Sequence, residues 1–309
     1  MGSGHGHEHA GARHRWRLRA AFALVTGFFL VELVTGLASG SLALLSDAGH
    51  MAADVVALGA ALVATRIATR ADTTGRRTFG SYRAEVFASG LAVLLMLAVA
   101  GYIVVEAVQR AGEEQVVAPT ALLVVGGLGL VVNLVALVLL RGGAEDSLNV
   151  KGAYLEVVAD SLGSAGVVVA GVLVATTGSS RWDTVVALAI AGYVAVRAVL
   201  LGREVVAVLG QHAPAGIHPA DAEAALRGVP DVLDVHDLHL WTLTSGMHVA
   251  TAHLVCRDGA DPTRVLTDAA TILRERFAMD HATIQVEPSS ARACVETSCP
   301  SWRRSCASV

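Results

Sequence analysis

Residues 118–140 read APTALLVVGGLGLVVNLVALVLL, a stretch without one charged side chain. A helix of about twenty such residues crosses the roughly 30 Å hydrocarbon core of a bilayer. Only 16% of the chain is charged, whereas about a quarter of a soluble globular chain is charged. The mean hydropathy of the chain is +0.57. Similar windows flank this stretch, and together they predict six transmembrane helices, at about 18–39, 42–65, 84–108, 118–140, 152–176 and 182–202.

The basic residues of the loops predict an orientation, because cytoplasmic loops are enriched in lysine and arginine. One set of loops and ends carries most of them: Arg13, Arg15, Arg17 and Arg19; Arg66, Arg70, Arg76, Arg77 and Arg83; Arg141 and Lys151; and Arg203. The opposite loops hold little beyond Arg110 and Arg181. We therefore expect both termini in the cytoplasm. The arginine- and alanine-rich composition favours a bacterial inner membrane, and the net charge of −4 gives no reason to expect nucleic acid as a partner.

The pattern of apolar and polar residues changes after the sixth span. Helical and strand-like segments alternate in the order helix, strand, strand, helix, strand, with the two strands of a hairpin meeting at Ser245-Gly246. This order predicts a compact α+β domain. The chain is thus divided into a histidine-containing tail (1–16), a membrane domain (17–205), a soluble domain (206–289) and a disordered tail (290–309) that holds Cys294, Cys299 and Cys306.

Two predicted spans contain ionisable side chains, which are costly inside a membrane and therefore point to function. His50 and Asp54 lie four residues apart in span two, and Glu156 and Asp160 have the same spacing in span five. An i,i+4 pair shares one face of a helix, so two such helices can form one four-coordinate site. Nitrogen and oxygen donors suit zinc and its neighbours in the first transition row.

Two further acids lie in the predicted spans. Asp47 shares the helical face of His50 and Asp54, and it is either an accessory ligand or a hydrogen-bonding group between helices. Glu32 is a lone acid in span one, for which a supporting hydrogen bond and a proton or metal role are both open.

Several motifs together resemble the cation diffusion facilitator family. They are SLALLSDAGHMAAD (41–54), TFGSYRAE (78–85), Asn133, DSLGS (160–164), VHDLHLW (235–241) and HATIQVE (281–287). The resemblance extends from about residue 17 to residue 288. It implies a homodimeric, proton-coupled exporter of zinc, cadmium and cobalt, with a cytosolic ferredoxin-like domain after the six spans. It also implies a transport site on His50, Asp54 and the matching pair of span five.

The sequence departs from this family at one position of that site. The zinc branch usually has His-x-x-x-Asp in span five, and here Glu156 stands where the histidine would be. A carboxylate makes the site harder and adds a negative charge, which favours manganese, iron or cobalt relative to an imidazole. Zinc remains the leading candidate, and an exporter that prefers one of these harder ions is the alternative.

Other histidines are candidate metal ligands outside the membrane. The amino-terminal cluster of His5, His7, His9 and His14 either collects zinc weakly or is inert. The family's cytosolic zinc sites map onto His236, His253 and His281, with Glu287 as a further ligand, although satisfied core or interface histidines would give the same pattern.

Functions of other classes fit the sequence less well. No G-x-x-x-x-G-K-[ST] loop occurs, so ATP is not the expected energy source, and no H-E-x-x-H motif supports a metalloenzyme. A membrane-anchored metal sensor is a second alternative, but a sensor does not require ionisable pairs at membrane depth. The sequence therefore predicts a secondary transporter that is not an enzyme.

Overall fold

The computed structural model describes residues 8–68, 78–110, 117–144, 148–244 and 246–290. Six long helices come first: α1 (Glu8–Ser39), α2 (Leu42–Ala68), α3 (Ala84–Gln109), α4 (Pro119–Ala144), α5 (Leu148–Thr177) and α6 (Arg181–Leu209). A smaller set of elements follows: α7 (Pro219–Arg227), β1 (Val232–Thr244), β2 (Met247–Cys256), α8 (Pro262–Phe277) and β3 (His281–Pro288). The predicted fold class, six long helices followed by an α+β domain, is confirmed.

Five of the described helices contain stretches long and apolar enough to cross a membrane: Phe22–Ser39, Ala84–Gln109, Pro119–Arg141, Tyr154–Thr177 and Arg181–Leu209. The remaining long helix, α2, has 27 residues, which is also sufficient length at about 1.5 Å per residue. Its apolar character is interrupted by the polar face that carries Asp47, His50 and Asp54.

Helix α1 begins earlier than the apolar pattern predicted. It starts at Glu8 rather than near residue 18, so part of the predicted tail continues the helix. Of the amino-terminal histidines, His5 and His7 lie outside the described residues, and the side chains of His9 and His14 are likewise not described.

Small residues allow the membrane helices to pack closely. A Cβ atom at Gly126 of α4 would lie 2.9 Å from the side chain of Val167 on α5, and one at Gly171 of α5 would lie 3.0 Å from Leu122 on α4. Close approach of backbones at small residues is a main source of helix association in lipid, where no hydrophobic driving force acts between helices. The α4–α5 contact therefore depends on these glycines.

An acid on α6 caps the beginning of α2. The chain turns between α1 and α2 at Gly40, whose φ of +67° favours glycine. Asp183 then accepts hydrogen bonds from the Ser41 hydroxyl at 2.6 Å, the Leu42 amide at 2.8 Å and the Ala43 amide at 3.2 Å. The first amides of a helix have no partner within the helix. Here their partner is Asp183, which lies at least 140 residues away in the sequence.

The soluble domain forms its own core around a three-stranded sheet. The strand order is β1-β2-β3, with β2 antiparallel to β1 and parallel to β3. Helices α7 and α8 cover the sheet with buried side chains such as Leu226 and Leu273. The Asp261 side chain accepts from the Thr263 amide at 2.9 Å and begins α8, as expected for an aspartate N-cap.

Candidate metal centre

Three predicted ligands from α2 and α5 come together in the membrane unit. Nε2 of His50 lies 3.6 Å from Oδ2 of Asp54 and 3.3 Å from Oδ1 of Asp160. One ligand atom from each of the three residues falls within 4.8 Å of the others. His50 and Asp160 are buried, and the Asp54 side chain is 25% exposed. The i,i+4 spacing in α2 thus places the side chains of His50 and Asp54 together beside Asp160 of α5.

The polar atoms of this group are arranged for a cation. Oδ2 of Asp54, Oδ1 of Asp160 and Nδ1 of His50 are buried and have no hydrogen-bond partner among the described residues. Buried polar atoms are almost always satisfied, so those that are not require an explanation such as a bound ion. Carboxylate oxygens accept but do not donate when ionised. Their convergence with Nε2 of His50 therefore fits a metal ion or a proton between them.

Glu156, the fourth predicted ligand, does not belong to this three-residue group. Its Oε2 accepts a hydrogen bond from Nη2 of Arg197 at 2.5 Å, and its side chain is 48% exposed. The carboxylate lies at the edge of the site on the same helical face as Asp160. Its role as a fourth ligand stays a prediction.

Arg197 was not among the residues selected from the sequence. It lies on α6, and its Nη1 is 3.1 Å from Nε2 of His50. Tyr193, one turn earlier on α6, has its ring 6.1 Å from the His50 imidazole and 6.0 Å from the Arg197 guanidinium. A signal was available, because an arginine within an apolar span is costly and marks a functional position.

Asp47 lies outside the three-residue group, in a separate polar layer. The Ser164 hydroxyl donates to Oδ2 of Asp47 at 3.4 Å, and Nδ2 of Asn133 donates to that hydroxyl at 3.3 Å. Gly163 leaves room for Asp47, because a Cβ atom at this position would clash with Oδ1 of the carboxylate. Glu32 is fully buried near Asp47, and its carboxylate oxygens have no hydrogen-bond partner among the described residues. The structure therefore assigns Asp47 a position that links helices, and its predicted accessory role stays a prediction.

A second group of predicted ligands meets on the sheet of the soluble domain. Nδ1 of His253 is 2.8 Å from Oε1 of Glu287, and Nε2 of His236 is 3.6 Å from Oε2 of the same carboxylate. Strand register explains the meeting, because His236 pairs with His253 across β1 and β2. Gln285 also donates to Oε1 of Glu287 at 2.8 Å, which holds the carboxylate from its own strand.

His281 does not join this second group. It begins β3 and pairs with Val249, whereas Gln285 is the residue of β3 that lies beside His253. Six residues separate His281 from Glu287, a span of about 20 Å along a strand. Its assignment to the cytosolic site rests on the sequence alone. Cys294, Cys299 and Cys306 lie outside the described residues.

Comparisons with known proteins match both the membrane helices and the domain that follows them. Residues 18–209 match the model of the cation efflux transmembrane domain, and residues 214–289 match that of the cation efflux protein cytoplasmic domain. The metal cation efflux system protein CzcD of Cupriavidus metallidurans is 41% identical over 288 residues, which cover 93% of this chain and 90% of that protein.

Two other relatives align with nearly the whole chain, and one solved structure aligns with a part of it. A cadmium, cobalt and zinc/H(+)-K(+) antiporter of Bacillus velezensis is 33% identical over 93% of each chain. The zinc transporter ZitB of Escherichia coli is 33% identical over 92% of each chain. The structure of a metal-bound C-terminal domain of the CzcD transporter is 36% identical and covers 23% of this chain and 99% of its own, with a TM-score of 0.22.

The match to the transmembrane-domain model alone spans more than half of the 309 residues, and the curated relatives are aligned over nearly the whole chain. The resemblance found in the sequence motifs is thereby confirmed. This chain is a multi-pass membrane protein that belongs to the cation diffusion facilitator family, in its zinc, cobalt and cadmium efflux branch, and it is a transporter rather than an enzyme.

Proposed function

We propose that this chain exports divalent transition-metal cations from the cytoplasm, with zinc as the main substrate, in exchange for protons. The observation that carries the proposal is the convergence of His50, Asp54 and Asp160 within 4.8 Å, between two membrane helices. The names of the relatives, which include a zinc transporter and a cadmium, cobalt and zinc antiporter, support the same substrate class.

The donor set favours zinc over harder ions. One imidazole and two carboxylates form the group, and zinc binds such mixed nitrogen and oxygen ligands readily. The sequence left manganese, iron or cobalt as an alternative because Glu156 adds a negative charge. The ion pair of Glu156 with Arg197 at 2.5 Å offsets that charge, which weakens the case for the alternative.

Proton exchange follows from the chemistry of the ligands. An imidazole or carboxylate must be deprotonated to coordinate a metal, so binding of the ion releases protons. Protons that enter the group from the opposite side of the membrane in turn expel the ion. No nucleotide-binding loop is needed for such a cycle.

The membrane placement and the assembly are part of the proposal. The basic residues of the loops favour both termini in the cytoplasm of a bacterial inner membrane, and the soluble domain matches a domain described as cytoplasmic. We expect a homodimer, in which the soluble domains of two copies associate.

The group in the soluble domain is proposed as a cytosolic zinc site. His236, His253 and Glu287 provide two nitrogen donors and a carboxylate, and Gln285 orients the carboxylate as an outer-shell partner. Because these residues lie on strands outside the membrane helices, their metal is expected to stabilise or regulate the transporter rather than to be the transported ion.

A flux assay tests the proposed function. Purified full-length protein in proteoliposomes, with a proton gradient imposed, should transport zinc, cadmium and cobalt faster than manganese or iron(II). Collapse of the gradient with a protonophore should abolish uphill transport. A protein that binds zinc but shows no flux of any of the five ions would instead support the metal-sensor alternative.

A further inference from the structure

Arg197 connects the two helices that provide the transport ligands. One nitrogen of its guanidinium, Nη2, donates to Glu156 of α5, and the other, Nη1, lies 3.1 Å from Nε2 of His50 on α2. The planar guanidinium presents its donors in a fixed fork, so a single side chain can hold two partners at once. The Arg197 side chain is only 24% exposed. A charged side chain is thus largely buried within a membrane helix, where an apolar side chain would be more stable.

The contact with His50 uses the atom that a metal ion requires. A guanidinium can donate but cannot accept, so its hydrogen bond with His50 requires the tautomer in which Nε2 is the acceptor. The same nitrogen lies 3.6 Å from Oδ2 of Asp54 and 3.3 Å from Oδ1 of Asp160. Binding of an ion at Nε2 therefore displaces Nη1 from His50, whereas Nη2 can remain with Glu156.

The formal charges of the site are balanced only if Arg197 is included. Asp54, Asp160 and Glu156 carry three negative charges when ionised, and Arg197 carries one positive charge that it does not lose in proteins. The net charge is then two negative, and one bound divalent cation neutralises it. Without Arg197 the loaded site would keep one excess negative charge in a medium that penalises charge strongly.

We propose that Arg197 is a resident cation of the transport site, which sets the charge of that site to match one divalent ion and keeps Glu156 as its own partner. Arg197 therefore tunes the affinity of the site for a divalent ion but does not bind the ion itself. This inference rests on the proposed function. It predicts that loss of the cation and loss of its acid partner have opposite effects on the apparent affinity for zinc.

The test is the KM for zinc in proteoliposomes that contain the full-length protein. A unit charge a few ångströms from a bound ion changes its affinity by at least roughly tenfold at protein-like dielectric constants. Arg197→Gln should lower the KM by at least roughly that factor, with a lower maximal rate because the ion is released more slowly. Glu156→Gln should raise the KM by at least a similar factor.

Two further variants test whether the charge and the position of Arg197 matter. Arg197→Lys keeps the charge, and its KM should stay within about threefold of wild type even though the fork is lost. Arg203→Gln is the matched control, because a residue six positions later on α6 points about 240° around the helix, away from the site. Its KM should be unchanged.

Opposite shifts in the two charge-neutralising variants support the inference, because simple damage to the site would weaken binding in both. An Arg197→Gln protein whose KM equals that of Arg203→Gln, or rises with that of Glu156→Gln, overturns it. If Arg197→Gln does not fold, Glu156→Gln and Arg197→Lys decide the question: an unchanged KM in the first or a tenfold change in the second also overturns it. Absence of zinc flux in the wild type would contradict the proposed function instead.

Discussion

Nε2 of His50 lies 3.3 Å from Oδ1 of Asp160, although the two residues belong to different membrane helices. An ion or proton bound between these atoms contacts α2 and α5 together. Any change in occupancy of the site therefore acts on the contact between these helices. Binding and release can therefore move α2 relative to α5. A transporter needs such movement if its site is to open to alternate sides of the membrane.

The cap that α6 provides for α2 should be important for stability. Asp183→Ala leaves the Ser41 hydroxyl and the Leu42 and Ala43 amides without their acceptor, and each unsatisfied buried group costs about 1–3 kcal/mol. We expect a clearly lower thermal unfolding temperature in detergent. Thr176→Ala is the control, because among the described residues this exposed hydroxyl donates only to the carbonyls of Val172 and Leu173 in its own helix. Equal unfolding temperatures for the two variants would show that the cap contributes little.

Replacement of Glu156 should have an effect that depends on Arg197. Glu156→His alone removes the partner of the guanidinium, so an unpaired positive charge is left next to the ion and zinc flux at low concentration should fall. Glu156→His combined with Arg197→Leu adds an imidazole without that charge. The double variant should have a higher ratio of zinc to manganese flux than wild type, because a second nitrogen donor softens the site.

This series also tests whether Glu156 is a direct ligand. Flux ratios of zinc, cadmium, cobalt and manganese can be measured in parallel for the wild type and both variants. If the double variant keeps the wild-type ratios, Glu156 does not contact the ion, and Asp47 becomes the next residue to substitute.

The soluble-domain group should bind metal independently of transport. His253→Ala removes the imidazole that lies 2.8 Å from Glu287, and we expect about one fewer zinc ion per chain in equilibrium dialysis of the full-length protein. The maximal rate of zinc flux should change little. His218→Ala is the control, because His218 is an exposed residue at the beginning of α7.

His281 can be separated from this group by the same measurement. The register of β3 places it beside Val249 rather than beside His253. His281→Ala protein should therefore bind as much zinc per chain as the wild type. A loss of zinc equal to that of His253→Ala would support the ligand role that the sequence alone assigned to His281.

Most of the fold could be predicted from the sequence because apolar length and periodicity are local properties. The helix near 262–277 and the two strands before and after Ser245-Gly246 follow directly from such patterns, and α8 and the antiparallel pairing of β1 with β2 confirm them. The start of α1 at Glu8 was missed, because the helix includes polar residues before its apolar segment and hydropathy marks only the apolar part.

The site was predictable only in part. The i,i+4 spacing placed His50 and Asp54 on one face of α2, and Asp160, which the sequence also assigned to the site, lies beside them in the structure. The partner of Glu156 could not be derived from spacing, because it depends on the rotation of α6 that brings Arg197 toward α5. The grouping of His281 with Glu287 depends in the same way on the register of β3, which the sequence pattern does not specify.

Zinc flux through Asp160→Asn protein tests whether His50, Asp54 and Asp160 form the transport site. The amide keeps the volume of the side chain but removes a negative donor. In proteoliposomes with an imposed proton gradient, flux should fall by more than the roughly 10- to 100-fold effect of losing an outer-shell partner, while Asp221→Asn in the soluble domain should match wild type. Both proteins should elute identically in size-exclusion chromatography. Wild-type zinc flux through a folded Asp160→Asn protein would show that Asp160 is not a ligand of the transport site.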